Sequence, residues 1–119
     1  MDDKNLIQKD LIKKIVGDAR GAVGIRLCAI GVNLGIFENL AKHGPATSHE
    51  LANRMKLDER YLREWGLGMF SLGYLNFDKL SRKLSLNKEF IPVLVEEGGM
   101  FSQKGLIEIL NSSLLPYHE

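Results

Sequence analysis

One cysteine, three prolines, three histidines and one tryptophan in 119 residues leave few special side chains to explain. A lone thiol, Cys28, excludes an internal disulfide framework and suits a reducing compartment. Neither sign of charge is in excess. Sixteen Lys and Arg against fifteen Asp and Glu give a net charge of +1, which supplies no electrostatic case for nucleic acid or an anionic membrane. No long hydrophobic run is present. The most apolar stretch, residues 22–37, contains Arg26 and Asn33 and is shorter than the about 20 residues a bilayer span needs. The opening Met1-Asp2-Asp3-Lys4 is acidic and does not read as a secretory signal. At 45% hydrophobic and 26% charged residues, the composition predicts one soluble, cytoplasmic domain able to bury a modest core without metal or disulfides.

In residues 5–16, Leu6, Ile7, Leu11, Ile12, Ile15 and Val16 recur at helical spacing between lysines and Asp10, which predicts a helix with one buried stripe. Gly17 is expected to break it, with Asp18 capping the next helix, residues 19–43. That second helix is apolar nearly all round. One stripe carries Ala22, Ile25, Ala29, Val32 and Ile36; another carries Val23, Leu27, Ile30, Leu34 and Phe37. The pattern predicts burial on more than one side, in the core and at a subunit interface. Gly31 and Gly35 form a small-residue pair that allows another helix to approach closely. His43-Gly44-Pro45 is the clearest stop.

After that stop comes the pattern of a winged helix-turn-helix, residues 46–87. Thr47 and Ser48 offer capping oxygens, with Glu50 in the first turn of a helix over residues 48–55. Lys56-Leu57-Asp58 makes the turn. Asp58 is placed to cap a second helix running to Leu72, with Glu59 in its first turn and Gly73 at its end. Residues 74–77 and 83–86 alternate as two strands of a hairpin, with Ser81-Arg82-Lys83 at the tip. A short helix over residues 87–97, with Pro92 near its start, is expected next. Gly98-Gly99 then interrupts the chain before a last apolar helix over residues 101–115.

The second helix of such a unit meets DNA only when its outer face is basic. Here Arg54, Lys56, Arg60 and Arg63 are offset by Glu50, Asp58, Glu59 and Glu64. With Leu62, Trp65, Met69 and Leu72 turned inward, the outer face carries Arg60, Arg63, Glu64, Leu67 and Ser71, with Phe70 beside it. A neutral, partly apolar face predicts contact with protein. The alternative is a small transcriptional regulator gripping DNA through Lys79, Arg82 and Lys83 of its wing. Catalytic candidates are few. His43, His49 and His118 lack metal-ligand spacing, and Cys28 reads as an inert core thiol. Glu96 and Glu97 are adjacent on a helix and point apart. Gly66-Leu67-Gly68 and Gly98-Gly99 lack the preceding strand of a nucleotide loop. No catalytic, cofactor-binding or metal-binding residue is therefore assigned.

Leu34-Gly35-Ile36-Phe37-Glu38-Asn39-Leu40, Gly44-Pro45-Ala46-Thr47, Glu50-Leu51-Ala52, residues 57–65 and Gly73-Tyr74-Leu75 follow one another in that order. The combination resembles the N-terminal winged-helix domain of class I S-adenosylmethionine-dependent methyltransferases, over residues 22–90. The resemblance implies a domain that mediates dimerisation and helps cover a small-molecule substrate pocket, ahead of a C-terminal Rossmann-like domain that binds S-adenosylmethionine. This chain departs from the pattern at Gly66, where a large aliphatic residue is usual, and lacks the strand and glycine-rich loop for the cofactor. The expected fold is mainly α: a winged helix-turn-helix (46–87) with two extra N-terminal helices (1–45), a small antiparallel hairpin, and C-terminal helices (88–119) leading towards a catalytic domain. The expected partners are a second copy and that domain, without nucleic acid or membrane. Ile25, Ala29, Val32, Ile36, Leu67 and Phe70 are the expected interface residues.

Overall fold

The computed structural model describes residues 3–114. Among the described residues there are five α-helices and one small hairpin: α1 (Asp3–Asn33), α2 (Ile36–His43), α3 (Ser48–Met55), α4 (Glu59–Ser71), β1 (Asn76–Asp78), β2 (Lys83–Ser85) and α5 (Lys104–Leu114). The architecture is the expected mainly α winged helix-turn-helix.

The first helix differs from expectation. It runs unbroken through Gly17, because a single glycine costs a helix only about 1 kcal/mol. No atom lies within 4 Å of where a Gly17 Cβ would stand, so nothing there forces a bend. The break falls instead at Gly35, whose φ of +76° is a left-handed conformation that glycine adopts freely. Leu34 and Gly35 close the end of α1 by donating to the Ile30 and Val32 carbonyls. Beyond them α2 leaves at a 62° bend. Gly31 and Gly35 thus do separate jobs and do not form a helix-docking pair.

At α3 the sequence reading holds closely. Thr47 Oγ1 accepts from the Glu50 amide at 3.1 Å, and Glu50 Oε1 accepts from the Thr47 amide at 2.9 Å. This reciprocal capping box fixes the helix start. Ala46 and Leu84 exchange backbone hydrogen bonds at 3.0 and 2.7 Å, tying the wing to the strand-like entry of α3. The wing pairs Asn76 with Ser85, Phe77 with Leu84 and Asp78 with Lys83. Its strands are shorter than expected: Tyr74 and Leu75 lie outside the ladder, their amides donating back to the Met69 carbonyl.

The core gathers Cys28, Ile36, Phe37, Leu40, Leu51, Leu62, Trp65, Met69 and Leu84. Trp65 is its keystone. Its indole N–H donates to the Leu27 carbonyl of α1 at 2.9 Å, and its ring lies 5.4 Å from that of Phe37 at a 58° tilt. Gly31 makes the room, since a Cβ there would stand 2.7 Å from the indole. Gly66 has a similar reason. A Cβ there would overlap the Leu84 side chain, so its backbone is where the wing packs onto α4.

The helix expected over residues 87–97 is instead a 3-10 turn, Lys88–Phe90, running into a wide π-type turn, Ile91–Val95. Its carbonyls are taken elsewhere: Gln103 N donates to Val93 O at 2.8 Å and Lys104 Nζ to Val95 O at 3.4 Å. Gly98 turns the chain at φ +67°, and α5 starts at Lys104, later than expected. It packs along α1 and sends Ile107 into the core. Leu115 and His118 lie outside the described residues.

Two glycine substitutions should therefore move stability in opposite directions. In urea denaturation, Gly66→Ala should lower stability by about 1–3 kcal/mol through overpacking against Leu84. Gly17→Ala, in an open helical position, should raise it by up to about 1 kcal/mol. Equal midpoints for the two variants would contradict this packing.

Candidate protein-contact surfaces

The outer face of α4 is as the sequence predicts. Leu62, Trp65 and Met69 are buried, while Arg60, Arg63, Glu64, Leu67, Phe70 and Ser71 are exposed. Each arginine on this face has a carboxylate beside it. Arg60 Nε lies 3.3 Å from Glu64, and Arg63 lies 3.8 Å from Glu59. Leu67 and Phe70 are 41% and 42% exposed, and Phe70 stacks at 5.9 Å against Phe77 of the wing. The face is therefore neutral with an apolar centre.

Between this face, the start of α3 and the wing lies a cleft of about 180 Å³, lined by Ser48, His49, Glu59, Arg63, Leu67, Phe77 and Arg82 among others. Glu59 is the centre of its polar wall. The Ser48 hydroxyl donates to it at 2.5 Å, and His49 Nε2 lies 3.8 Å away. The Ser48 hydrogen bond, helped by Arg63 and His49, holds the Glu59 carboxyl below the usual glutamate range. Asp58, expected to cap α4, heads that helix without a side-chain cap bond, and the Ser48–Glu59 bond instead ties α3 to α4. Spacing alone could not reveal it, since Ser48 and Glu59 belong to different helices.

The expected interface stripe needs correction. Ala29 and Ile36 are core residues, and Ile25 and Val32 are half-buried. The exposed apolar surface lies instead on the first half of α1, where the sequence predicts a buried stripe. Leu6, Ile7, Leu11, Ile12, Ile15 and Val16 are 47–68% exposed, because this half of the helix projects past the other elements. Val16, Ala19, Val23 and Leu27 continue that surface into a groove of about 370 Å³, whose opposite wall is Gly68, Ser71 and Leu72 of α4. Arg20 crosses its edge to donate to the Ser71 carbonyl at 3.3 Å.

Cys28 is buried, and burial pushes its thiol up to about 11 despite a hydrogen bond with Tyr74. At neutral pH it is a protonated core thiol rather than a nucleophile. Among the described residues, no three His, Cys, Asp or Glu side chains converge as a metal site. His43 sits in the last turn of α2, and Glu97 takes an ion pair from Lys104 at 3.1 Å. No single described helix is long and apolar enough to cross a membrane. Lys79, Arg82 and Lys83 of the wing are exposed.

The order helix, turn, helix, hairpin, with Ala46 bridging to the wing, defines a winged helix-turn-helix domain. Residues 21–95 match the family model of the Rv2258c-like winged HTH domain, and the chain belongs to that family. No curated protein sequence matches it. Among solved structures it is similar to PigF, solved with SAH, at 16% identity and a TM-score of 0.71, over 87% of this chain and 30% of that one. It is also similar to an O-methyltransferase family 2 protein from Planctomyces limnophilus in complex with apigenin. That match has 25% identity and a TM-score of 0.67, over 86% of this chain and 30% of the other. A third is the mitomycin 7-O-methyltransferase MmcR, at 21% identity and a TM-score of 0.67, over 77% and 27%. The chain thus spans less than a third of the length of these structures, and it matches their N-terminal winged-helix domain.

The Glu59 contact makes a pH-dependent prediction. A carboxyl held below its unfolded value stabilises the fold above that value and loses the contribution as pH falls through the folded one. Ser48→Ala should therefore lower the urea midpoint at pH 7, and the gap from the wild type should close below about pH 4. A gap unchanged down to pH 3 would show that the hydroxyl acts through packing alone.

Proposed function

We propose that this chain is the non-catalytic, N-terminal module of an S-adenosylmethionine-dependent methyltransferase acting on a small molecule, where it joins two subunits and helps cover the acceptor pocket. The match of residues 21–95 to the Rv2258c-like family, together with methyltransferase neighbours of which it covers 27–30%, carries the reading. The surface chemistry supports it. Phosphate contact rewards unpaired cations, yet the arginines of the α4 face stand beside Glu59 and Glu64. Exposed Leu67 and Phe70 and the apolar half of α1 suit polypeptide.

In this reading the cofactor belongs to the Rossmann-like domain of the parent polypeptide. The sequence here contains no strand followed by a glycine-rich loop that would hold it. PigF was solved with SAH and the Planctomyces protein with apigenin; we extend from these a methyl donor of the same kind and a small organic acceptor. The single buried cysteine fits a cytoplasmic setting.

Equilibrium dialysis with labelled S-adenosylmethionine, on the 119-residue chain and on the whole polypeptide that its reading frame encodes, tests the assignment. Retention by the whole polypeptide and none by the chain is the expected result. A parallel anisotropy titration with short duplex DNA should show only the weak, non-specific range, about 1 µM or weaker. Nanomolar duplex affinity with a steep salt slope would overturn the proposal in favour of a regulator.

A further inference from the structure

The turn at the wing tip holds an arginine in a backbone conformation that suits glycine. Asp78 organises that turn. Its carboxylate accepts from the Leu80 amide at 3.1 Å and the Ser81 hydroxyl at 2.8 Å, and its carbonyl accepts from the Arg82 amide at 2.6 Å. The chain then passes through Arg82 at φ +60°, the left-handed conformation in which hairpin loops commonly place glycine. An L-residue is strained there. Strain of this kind gathers at ligand-binding positions, and Arg82 lines the cleft between the wing, α3 and α4.

Arg82 is also the cation of that cleft with no carboxylate of its own. Among the described residues its guanidinium forms no ion pair, and the Asp78 carboxylate is taken by Leu80 and Ser81. The other charges of the lining answer one another: Glu59 accepts from the Ser48 hydroxyl and stands beside Arg63 and His49. Leu67 of α4 and the cross-strand neighbours Phe77 and Leu84 of the wing give the cleft its apolar wall.

We infer that this cleft binds a small carboxylate carried on a single aromatic ring. Volume sets the size. An apolar cavity of about 150 Å³ takes up benzene, and the about 180 Å³ of this cleft leaves space for one further small group. The ring lies against the apolar wall. The planar fork of an arginine matches a carboxylate through two parallel N–H···O bonds, so Arg82 holds the charged end. Arg63 and Arg82 against Glu59 leave the lining one positive charge in excess with His49 neutral, which one carboxylate cancels. A nucleotide is too large for the space and carries more charge than one unpaired arginine balances. The site is built wholly from residues 47–84 and does not rest on the function proposed above.

Amide NMR titration of the 119-residue chain with benzoate, benzamide and acetate tests this, repeated with benzoate on Arg82→Gly and Arg60→Gln. Benzoate should shift the amides of Ser48, Arg63, Leu67 and Phe77 and saturate with a dissociation constant of about 1 mM or below. Benzamide keeps the ring without the charge, and acetate the charge without the ring. Each should bind at least about ten-fold more weakly. Arg82→Gly should lose at least about ten-fold in benzoate affinity while its urea midpoint rises, because glycine relieves the strain. Arg60 lies outside the cleft, so Arg60→Gln should bind as the wild type does. Shifts that fail to saturate by about 20 mM benzoate, or that fall away from the cleft, would overturn the site. So would benzamide or acetate binding as tightly as benzoate, or Arg60→Gln losing as much as Arg82→Gly. An Arg82→Gly chain that binds as the wild type does, or whose urea midpoint does not rise, would overturn the part given to Arg82 and the assignment with it.

Discussion

Trp65 joins three elements that have no covalent reason to meet. Its indole N–H reaches the Leu27 carbonyl in α1, its ring packs against Phe37 of α2, and its own helix, α4, supports the wing. The ring is large and its one polar atom is satisfied, so it contributes apolar burial without a desolvation cost. Gly31 is the complement that makes this possible, because any side chain there would occupy the space of the indole. Once α4 is pinned in this orientation, Leu67 and Phe70 face outward. Glu59 is then presented to Ser48, and Gly68 and Leu72 form the wall of the groove along α1. The contact surfaces are thus consequences of one aromatic contact.

Much of this was legible in the sequence wherever the signal was local. The capping box at Thr47 and Glu50 needs only residues three apart. The stripe of Leu62, Trp65 and Met69 needs only helical periodicity, and Gly73 ends α4 as its position suggests. What depended on distant partners was not legible. Gly17 and Gly35 are the same residue, yet only Gly35 takes a positive φ, because the core residues Ile36 and Phe37 require the chain to turn there. Gly66 looked like a weakness in a helix, and its reason lies eighteen positions away at Leu84. The stripes of α1 were both visible, but periodicity does not say which is covered by the chain's own elements and which stays exposed.

The charge pattern of α4 bears on the choice between a protein-contacting and a DNA-reading winged helix more than the fold does. Geometry is shared among proteins of unlike function, so the distinction has to come from the side chains. On α4 the carboxylates are placed one helical turn from the arginines, which neutralises them on the protein itself. Such a face offers a phosphate no arginine without a carboxylate beside it. A partner polypeptide meets the same residues as a neutral rim around an apolar centre, the usual composition of a protein interface.

The length of α1 adds a thermodynamic argument. Helices shorter than about 12–15 residues are marginal on their own in water, and most helical stability in proteins comes from burying one face. Residues 3–16 form such a segment, with each of them exposed. The lysine–aspartate pair Lys14–Asp18, at 3.3 Å, is fully on the surface and stabilises it only slightly. As the continuation of a 31-residue helix whose second half is packed in the core, this half propagates from a formed nucleus while its aliphatic side chains stay in water.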